Sequence, residues 1–240
     1  MVGHPHRLDL VRHGQSAGNV ANDAARAAGH EMLDLAARDM DVPLSELGRR
    51  QAVALGSWFS EVKPDVVYAS PYRRAVDTAT IALSQAGRDL AVCCDERLRE
   101  REFGILDRLT RTGIEARHPE QAAARAFLGK MYHRPPGGES WVDVAARVRD
   151  FYRDLRLDRS GDHVVVVAHQ AVIQLFRYVL EEMTEAEVMA ADAKEDIANT
   201  AVTTYEGSGT DVPALVSFNQ VDHLPEELRT DRPDVPAGPR

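Results

Sequence analysis

The 240-residue chain has few cysteines and no long hydrophobic stretch. Its two cysteines, Cys93 and Cys94, are adjacent and cannot link distant parts of a fold, so a disulfide scaffold is excluded and a reducing, cytoplasmic location is expected. The longest apolar run, residues 164–168, is too short to span a bilayer. The N-terminus lacks a basic region followed by an apolar one, so we expect neither a membrane association nor a secretory signal.

The chain also lacks an excess of positive charge and any metal-ligand spacing. Its 29 basic and 38 acidic residues give a net charge of −9, which argues against a nucleic-acid partner. No group of histidines and cysteines has the spacing of a zinc site. We therefore expect no metal and no other cofactor. A local cluster of arginines can still form a pocket for a small anionic molecule in an acidic protein.

Short apolar runs alternate with amphipathic segments along the chain. Strands are predicted at residues 8–11, 65–69, 90–94, 163–168, 200–205 and 215–218. Helices are predicted at residues 46–61 with Ser45 as N-cap, 72–85, from about 140 onwards, and 171–182. This alternation predicts an α/β fold, a three-layer sandwich with a mostly parallel central sheet and helices on both faces.

Two further segments bear on the domain organisation. The alanine-rich residues 20–40 are predicted to be partly helical and to serve in packing, or to form a wall over a site that precedes them. Residues 222–240 contain four prolines and many charges, which is typical of a loose tail. We expect one domain over residues 1–221, followed by a flexible C-terminal tail over residues 222–240.

Polar residues follow three of the predicted strands at the point where each strand ends. They are Arg12-His13-Gly14, the run at residues 70–74 with Arg73 and Arg74, and His169-Gln170. In parallel α/β sheets the carboxyl ends of the strands line the ligand crevice. Histidines and arginines would meet there, and this combination suits phosphoryl transfer, which needs a nucleophile, positive charge and a proton donor.

The motifs resemble those of the histidine phosphatase, or phosphoglycerate-mutase-like, superfamily. The run Leu-Val-Arg-His-Gly-Gln-Ser at residues 10–16, with Asn19, looks like its signature. Further blocks follow in the family's order, within residues 7–205: they lie at 43–52, 70–79, 98–104, 166–169 and 199–202. Such ordered blocks are far more specific than a lone Arg-His-Gly.

The resemblance implies a role for each matching residue. His13 is the nucleophile that becomes phosphorylated, and Glu100 is the proton donor and then the base, with Glu102 as its competitor if the register differs. The residues that hold the phosphoryl group are Arg12, Asn19, Arg74, His169 and Gln170. Gln15 is expected to support this site.

A narrower resemblance concerns the middle of the chain, which looks like the fructose-2,6-bisphosphatase type. It implies substrate contacts from Lys130, Arg134, Glu139 and Ser140, in addition to Gln170. Ala126 and Gln174 stand where that type carries arginines. This loss of positive charge makes a sugar monophosphate, or a phosphoglycerate-type ester, as good a candidate substrate as fructose 2,6-bisphosphate.

The resemblance therefore predicts a metal-independent phosphomonoester hydrolase that works through a phosphohistidine intermediate on a sugar phosphate or another small phosphorylated metabolite. Two alternatives stay open at this point. One is a phosphoglycerate mutase that uses the same phosphohistidine, and the other is a non-catalytic module that binds a phosphorylated ligand. The oligomeric state is open as well, with a homodimer as one candidate.

Overall fold

A computed structural model describes residues 3–230 of the chain. The strands are β1 (Arg7–Arg12), β2 (Val66–Ala69), β3 (Val92–Cys94), β4 (His163–Ala168), β5 (Val202–Glu206) and β6 (Ala214–Gln220). The helices are α1 (Ala17–Ala27), α2 (Glu46–Glu61), α3 (Arg73–Gln85), α4 (Arg111–Arg117), α5 (Pro119–Tyr132), α6 (Trp141–Asp158), α7 (Gln170–Leu180) and α8 (Glu185–Lys194).

The strands form one six-stranded sheet in the order β3-β2-β4-β1-β5-β6. The first four strands in this order pair in parallel, whereas β5 runs antiparallel to both of its neighbours. Alternate residues of β4 point to opposite faces, and both faces are buried. One face packs on α6 and α7 and the other on α2 and α3. The predicted three-layer α/β sandwich is confirmed.

Hydroxyl side chains fix the starts of the helices near the sheet's carboxyl edge. Ser45 is the N-cap of α2, as its sequence predicts, and accepts a hydrogen bond from the backbone N–H of Gly48 at 3.0 Å. Ser16 and Ser140 cap α1 and α6 in capping boxes with Asn19 and Asp143. These caps place the loops before α1 and α6 with defined geometry.

The loop after β1 lies directly against the start of α2. Gln15 accepts from the backbone N–H of Ser45 at 2.9 Å and from its hydroxyl at 2.7 Å, and its own backbone N–H donates to Gln51 at 2.8 Å. A Cβ atom added to Gly48 would lie 1.9 Å from the carbonyl oxygen of Gln15. Only glycine therefore allows the two backbones to approach this closely.

Two further segments can be compared with the expectation. Residues 20–40 are partly helical, as predicted: the helix ends at Ala27, and the chain then runs irregularly to a single 3₁₀ turn, Asp39–Asp41. Residues 222–230 are packed, since Leu228 is buried and its carbonyl accepts from Gln51 at 2.8 Å. The packed chain thus continues past the predicted boundary at residue 221, and residues 231–240 of the predicted tail lie outside the described residues.

Within residues 3–230, no helix is long and apolar enough to cross a membrane.

A buried polar network holds β1 between β4 and β5. Asp9, which is fully buried, accepts from His163 Nε2 at 2.6 Å, Thr204 Oγ1 at 2.6 Å and Arg7 Nε at 2.8 Å. Burial alone would raise the pKa of Asp9, but these hydrogen bonds outweigh it and lower the pKa below its usual value. The charged carboxylate therefore ties together the three strands at the centre of the sheet.

Replacement of Asp9 by alanine is expected to lower the free energy of unfolding by about 3–5 kcal/mol, because it leaves buried donors unpaired. Glu206 contacts the same Arg7 from an exposed position, so Glu206→Gln should cost less than about 1 kcal/mol. Urea unfolding at pH 7 measures both. The contribution of Asp9 is present above its unfolded pKa of about 4 and is lost as the pH falls through the lower folded value. Equal effects of the two substitutions would contradict this assignment.

Candidate active site

The backbone of His13 is held by neighbours from three other parts of the chain. Its N–H donates to the carbonyl of Ala168 at the end of β4 at 3.0 Å, and its carbonyl accepts from Asn199 Nδ2 at 3.0 Å. The following N–H, of Gly14, donates to Thr78 Oγ1 in α3 at 3.0 Å. These bonds bring the ends of β1 and β4 and the start of α3 to one place, as the sheet topology predicts.

The imidazole of His13 has a defined tautomer. Its Nδ1 lies 2.7 Å from the carbonyl oxygen of Gly14, and because a carbonyl only accepts, Nδ1 must carry the hydrogen. Nε2 then presents its lone pair, 3.3 Å from Arg74 Nε. Burial, together with the charges of Arg74 and Arg12, lowers the pKa of His13 well below 6.5. The ring is therefore a neutral imidazole that is oriented by its own loop.

Two arginines flank this ring. Arg12 is buried at the end of β1, and its guanidinium donates to the carbonyl of Ile197. Arg74 is buried in the first turn of α3 and lies over the ring of Tyr72, 4.9 Å from its centroid. A guanidinium stays charged at any ordinary pH and offers a planar set of donors that matches phosphate oxygens.

The second histidine lies beside the first. The ring centroids of His13 and His169 are 5.0 Å apart, and His169 Nε2 is 2.7 Å from Ser70 Oγ. Burial, followed by the charges of Arg74, His13, Arg147 and Arg12, lowers the pKa of His169 well below 6.5. Its Nδ1 is buried without a hydrogen-bond partner among the described residues and lies 4.0 Å from Glu100 Oε2. An oxygen atom of a ligand would satisfy it.

Glu100 sits in a loop that other charged residues hold in place. Its Oε1 accepts from the N–H of Arg101 at 2.8 Å, and its carbonyl accepts from Arg147 at 3.2 Å. Glu139 accepts from both Arg147 and Arg99, so this predicted substrate contact acts in the structure as an anchor for the loop. The competing carboxylate, Glu102, is exposed and accepts from the Tyr72 hydroxyl at 2.7 Å.

A cavity of about 80 Å³ opens beside His13. Its lining includes four of the residues predicted from sequence, namely His13, Asn19, Arg74 and Glu100, together with Ser16, the N-cap of α1. Residues of the 33–42 segment form one wall of the cavity, which favours the second of the two roles left open for residues 20–40 over packing alone. Asn19 also serves the capping box of α1, where its side-chain oxygen accepts from the backbone N–H of Ser16 at 2.9 Å.

Three charged residues of the lining escaped the sequence analysis. Asp39 belongs to the wall, and Asp107 and Arg108 lie across from it. Arg108 has a left-handed φ of 59° and donates to the carbonyl of Leu35 at 3.0 Å. Burial, and then the charge of Asp39, raises the pKa of Asp107. No motif marks these residues, because they reach the cavity only through the pairing of two irregular segments.

Several predicted substrate contacts do not line this cavity and stay predictions. Gln170 donates to Asp196 at 2.9 Å, Lys130 pairs with Asp192, and Arg134 pairs with Asp143. Gln15 and Ser140 hold the starts of α2 and α6, as described above. In the structure these side chains serve the framework around the site.

Three basic residues, Arg101, Arg125 and Lys130, form a cationic cluster next to Glu100. The narrower resemblance had implied a loss of positive charge in this part of the chain. Arg125, next to Ala126, is buried, and burial lowers its pKa to about 10. Burial and the charge of Arg125 likewise lower the pKa of Arg101 to about 10. Lys130 belongs to the same group, with its ammonium 4.5 Å from the centre of the Trp141 ring. Arg125 thus supplies a positive charge near Arg101, although its neighbour Ala126 lacks the charge that the narrower resemblance would place there.

Within residues 3–230, no three histidine, cysteine, aspartate or glutamate residues cluster so that they could hold a metal ion. The positive charge beside His13 comes from the two arginines.

The fold and site define a class of protein. A family profile of the histidine phosphatase superfamily, branch 1, matches residues 8–220. The chain belongs to this superfamily. This confirms the resemblance to the histidine phosphatases and the phosphatase class of enzyme that this resemblance implied.

The chain is also similar to individual proteins of known name. The chain is 33% identical over 217 residues to a glucosyl-3-phosphoglycerate phosphatase of Mycobacterium tuberculosis, covering 87% of this chain and 90% of that protein. It is 34% identical over 184 residues to a 2,3-bisphosphoglycerate-dependent phosphoglycerate mutase of Gloeobacter violaceus, covering 75% and 78%. A solved structure of mycobacterial glucosyl-3-phosphoglycerate phosphatase with inorganic phosphate is similar, with a TM-score of 0.70 and 30% identity over 92% of this chain and all of that one.

Both imidazoles of the pair are expected to stay neutral at pH 6, with the His13 proton on Nδ1, because burial and the arginines disfavour a second proton. Long-range ¹H–¹⁵N spectra of the labelled protein, recorded over a pH titration, report both properties. His13→Gln identifies the resonances of His13. A His13 ring that titrates near 6.5, or that carries its proton on Nε2, would contradict this description.

Proposed function

We propose that the chain hydrolyses phosphomonoesters and that His13 is the nucleophile. The observation that carries this proposal is the orientation of His13, whose Nε2 lone pair faces Arg74 while Nδ1 is fixed by the Gly14 carbonyl. A buried neutral imidazole with cations on either side serves the attack of nitrogen on phosphorus. The match to the histidine phosphatase profile supports the same reading.

In the first step His13 Nε2 attacks the phosphorus atom, and the bond from phosphorus to the ester oxygen breaks. Arg12 and Arg74 stabilise the charge on the transferring oxygens, and His169, whose ring centroid lies 5.0 Å from that of His13, supplies a further contact. Glu100, which lines the cavity, gives its proton to the departing alcohol.

In the second step Glu100 acts in the opposite direction. It now carries a negative charge and takes a proton from a water molecule, which attacks the phosphohistidine. The nitrogen–phosphorus bond breaks, orthophosphate leaves, and His13 returns to its neutral form. One carboxyl group thus serves as acid and then as base, because the two steps are chemically the reverse of each other.

The proposed substrate is a phosphorylated sugar or glycerate ester. The similarity to a protein named glucosyl-3-phosphoglycerate phosphatase, which extends over 87% of this chain, supports this class. The acidic and basic groups of Asp39, Asp107 and Arg108 at the cavity can bind hydroxyl and carboxylate groups of such a leaving alcohol.

A phosphoglycerate mutase is the second candidate, and the mutase relatives at 34% identity favour it. Both enzymes would share the phosphohistidine, but the mutase returns the phosphoryl group to its substrate. Conversion of 3-phosphoglycerate after priming with 2,3-bisphosphoglycerate would identify a mutase.

The cellular location, the partners and the assembly of the protein are proposals as well. We propose a cytoplasmic location from the two free cysteines, and no nucleic-acid partner from the net charge of −9. A homodimer is proposed as the assembly to test first, and analytical ultracentrifugation would decide it. A non-catalytic binding module is the remaining alternative, and it would bind phosphate esters without turnover.

The function is tested by hydrolysis of sugar phosphates, phosphoglycerates and p-nitrophenyl phosphate in the presence of EDTA. We expect turnover with the chelator present and a loss of at least about a thousandfold in His13→Ala, which lacks the nucleophile. Circular dichroism checks that the variant is folded. Undiminished hydrolysis by this variant, or loss of wild-type activity in EDTA, would refute the mechanism.

The two neighbouring carboxylates offer a matched pair of variants. Glu100→Gln should lower kcat for an alkyl phosphate by about 10²- to 10⁴-fold, since the leaving alkoxide needs a proton. The loss should be smaller for p-nitrophenyl phosphate, whose leaving group departs as an anion. Glu102→Gln removes an exposed carboxylate and should change kcat by less than about tenfold. If Glu102→Gln shows the larger loss instead, the two roles are exchanged.

A further inference from the structure

Arg74 already holds an anion in this structure, the carboxylate of Asp39. Its Nη1 donates to the Asp39 backbone carbonyl at 2.7 Å and to Oδ1 at 3.0 Å, and its Nη2 donates to Oδ2 at 3.3 Å. This paired arrangement is the one that a guanidinium also offers to a phosphate group. The guanidinium donors of Arg74, which the family resemblance assigns to the phosphoryl group, are therefore bonded to a residue of the chain itself.

The two partners differ in their freedom to move. The Arg74 side chain is only 6% exposed and is fixed at the start of α3, whereas the Asp39 side chain is 41% exposed. Asp39 opens the single 3₁₀ turn of an otherwise irregular wall. If the contact breaks, Asp39 is the partner that can turn into solvent.

A phosphoryl group at His13 must compete for the same donors. Arg74 Nε lies 3.3 Å from the nucleophilic Nε2, so phosphate oxygens bound there come within reach of the guanidinium. Nη1 carries two hydrogens, and Asp39 accepts both of them. The dianion and the carboxylate would also repel each other across a cavity that Asp39 lines.

We propose that Asp39 is an internal competitor for Arg74, which the phosphoryl group displaces on binding and which returns as orthophosphate leaves. This inference rests on the proposed function, since orthophosphate is the product only if the chain is a phosphatase. Asp39 lowers the affinity of the site for phosphate and thereby assists product release. Its carboxylate occupies the site in the free enzyme and prevents other small anions from remaining there.

The test measures orthophosphate binding to the full-length protein by titration calorimetry, which needs no turnover. Asp39→Asn keeps the size of the side chain but removes its charge, so orthophosphate should bind about three- to tenfold more tightly. The inhibition constant of orthophosphate in the hydrolysis assay should fall by the same factor. Asp41→Asn makes the same charge change in the same turn, at an exposed residue outside the cavity lining, and should leave both values unchanged.

A second variant, Asp39→Ala, removes the side-chain acceptors as well and should also bind orthophosphate more tightly. Unchanged or weaker binding in both Asp39 variants would overturn the proposal. A fall in kcat with unchanged orthophosphate affinity would also overturn it, and would make Asp39 a positioning residue for Arg74. The proposed function fails separately, namely if His13→Ala retains hydrolysis, and that result is independent of the binding measurement.

Discussion

The site depends on an imidazole that stays uncharged between two permanent cations. Burial and the charges of Arg12 and Arg74 keep a second proton off His13, and the Gly14 carbonyl fixes the ring so that its lone pair faces Arg74. In the proposed mechanism, the same arginines bind the phosphoryl group that this lone pair attacks. One electrostatic arrangement would then keep the imidazole neutral and bind its target, and the parallel strands β1 and β4 bring its parts together.

The fold and the centre of the site were largely accessible from sequence, because both are recorded in local patterns. The four valines of β4, the Ser45 cap of α2 and the Arg-His-Gly turn each identify an element without knowledge of the rest of the chain. Parallel strands then bring His13 and His169 to one edge of the sheet, where their rings lie 5.0 Å apart. Sequence reasoning succeeded where chemistry and local structure coincide.

The wall of the cavity was beyond such reasoning. The residues after Ala27 have no helical or strand periodicity, and their course is set by distant backbone contacts, such as the Leu33 N–H that donates to the Arg108 carbonyl at 2.9 Å. Neither Asp39 nor Arg108 belongs to a motif. Lys130 and Arg134 were predicted to contact substrate because of a family resemblance. In the structure both side chains pair with acidic residues that lie outside the cavity lining, so a motif alone does not give the position of a side chain.

The backbone contact between Gln15 and Gly48 has a consequence for protein engineering. Because a methyl group at Gly48 would meet the Gln15 carbonyl at 1.9 Å, no side chain there can absorb a change behind the nucleophile. Position 48 is therefore closed to substitution, whereas the exposed positions of the irregular wall at residues 33–42 include no glycine with such a contact. A randomised library over that wall could explore new substrates while the reaction chemistry stays fixed.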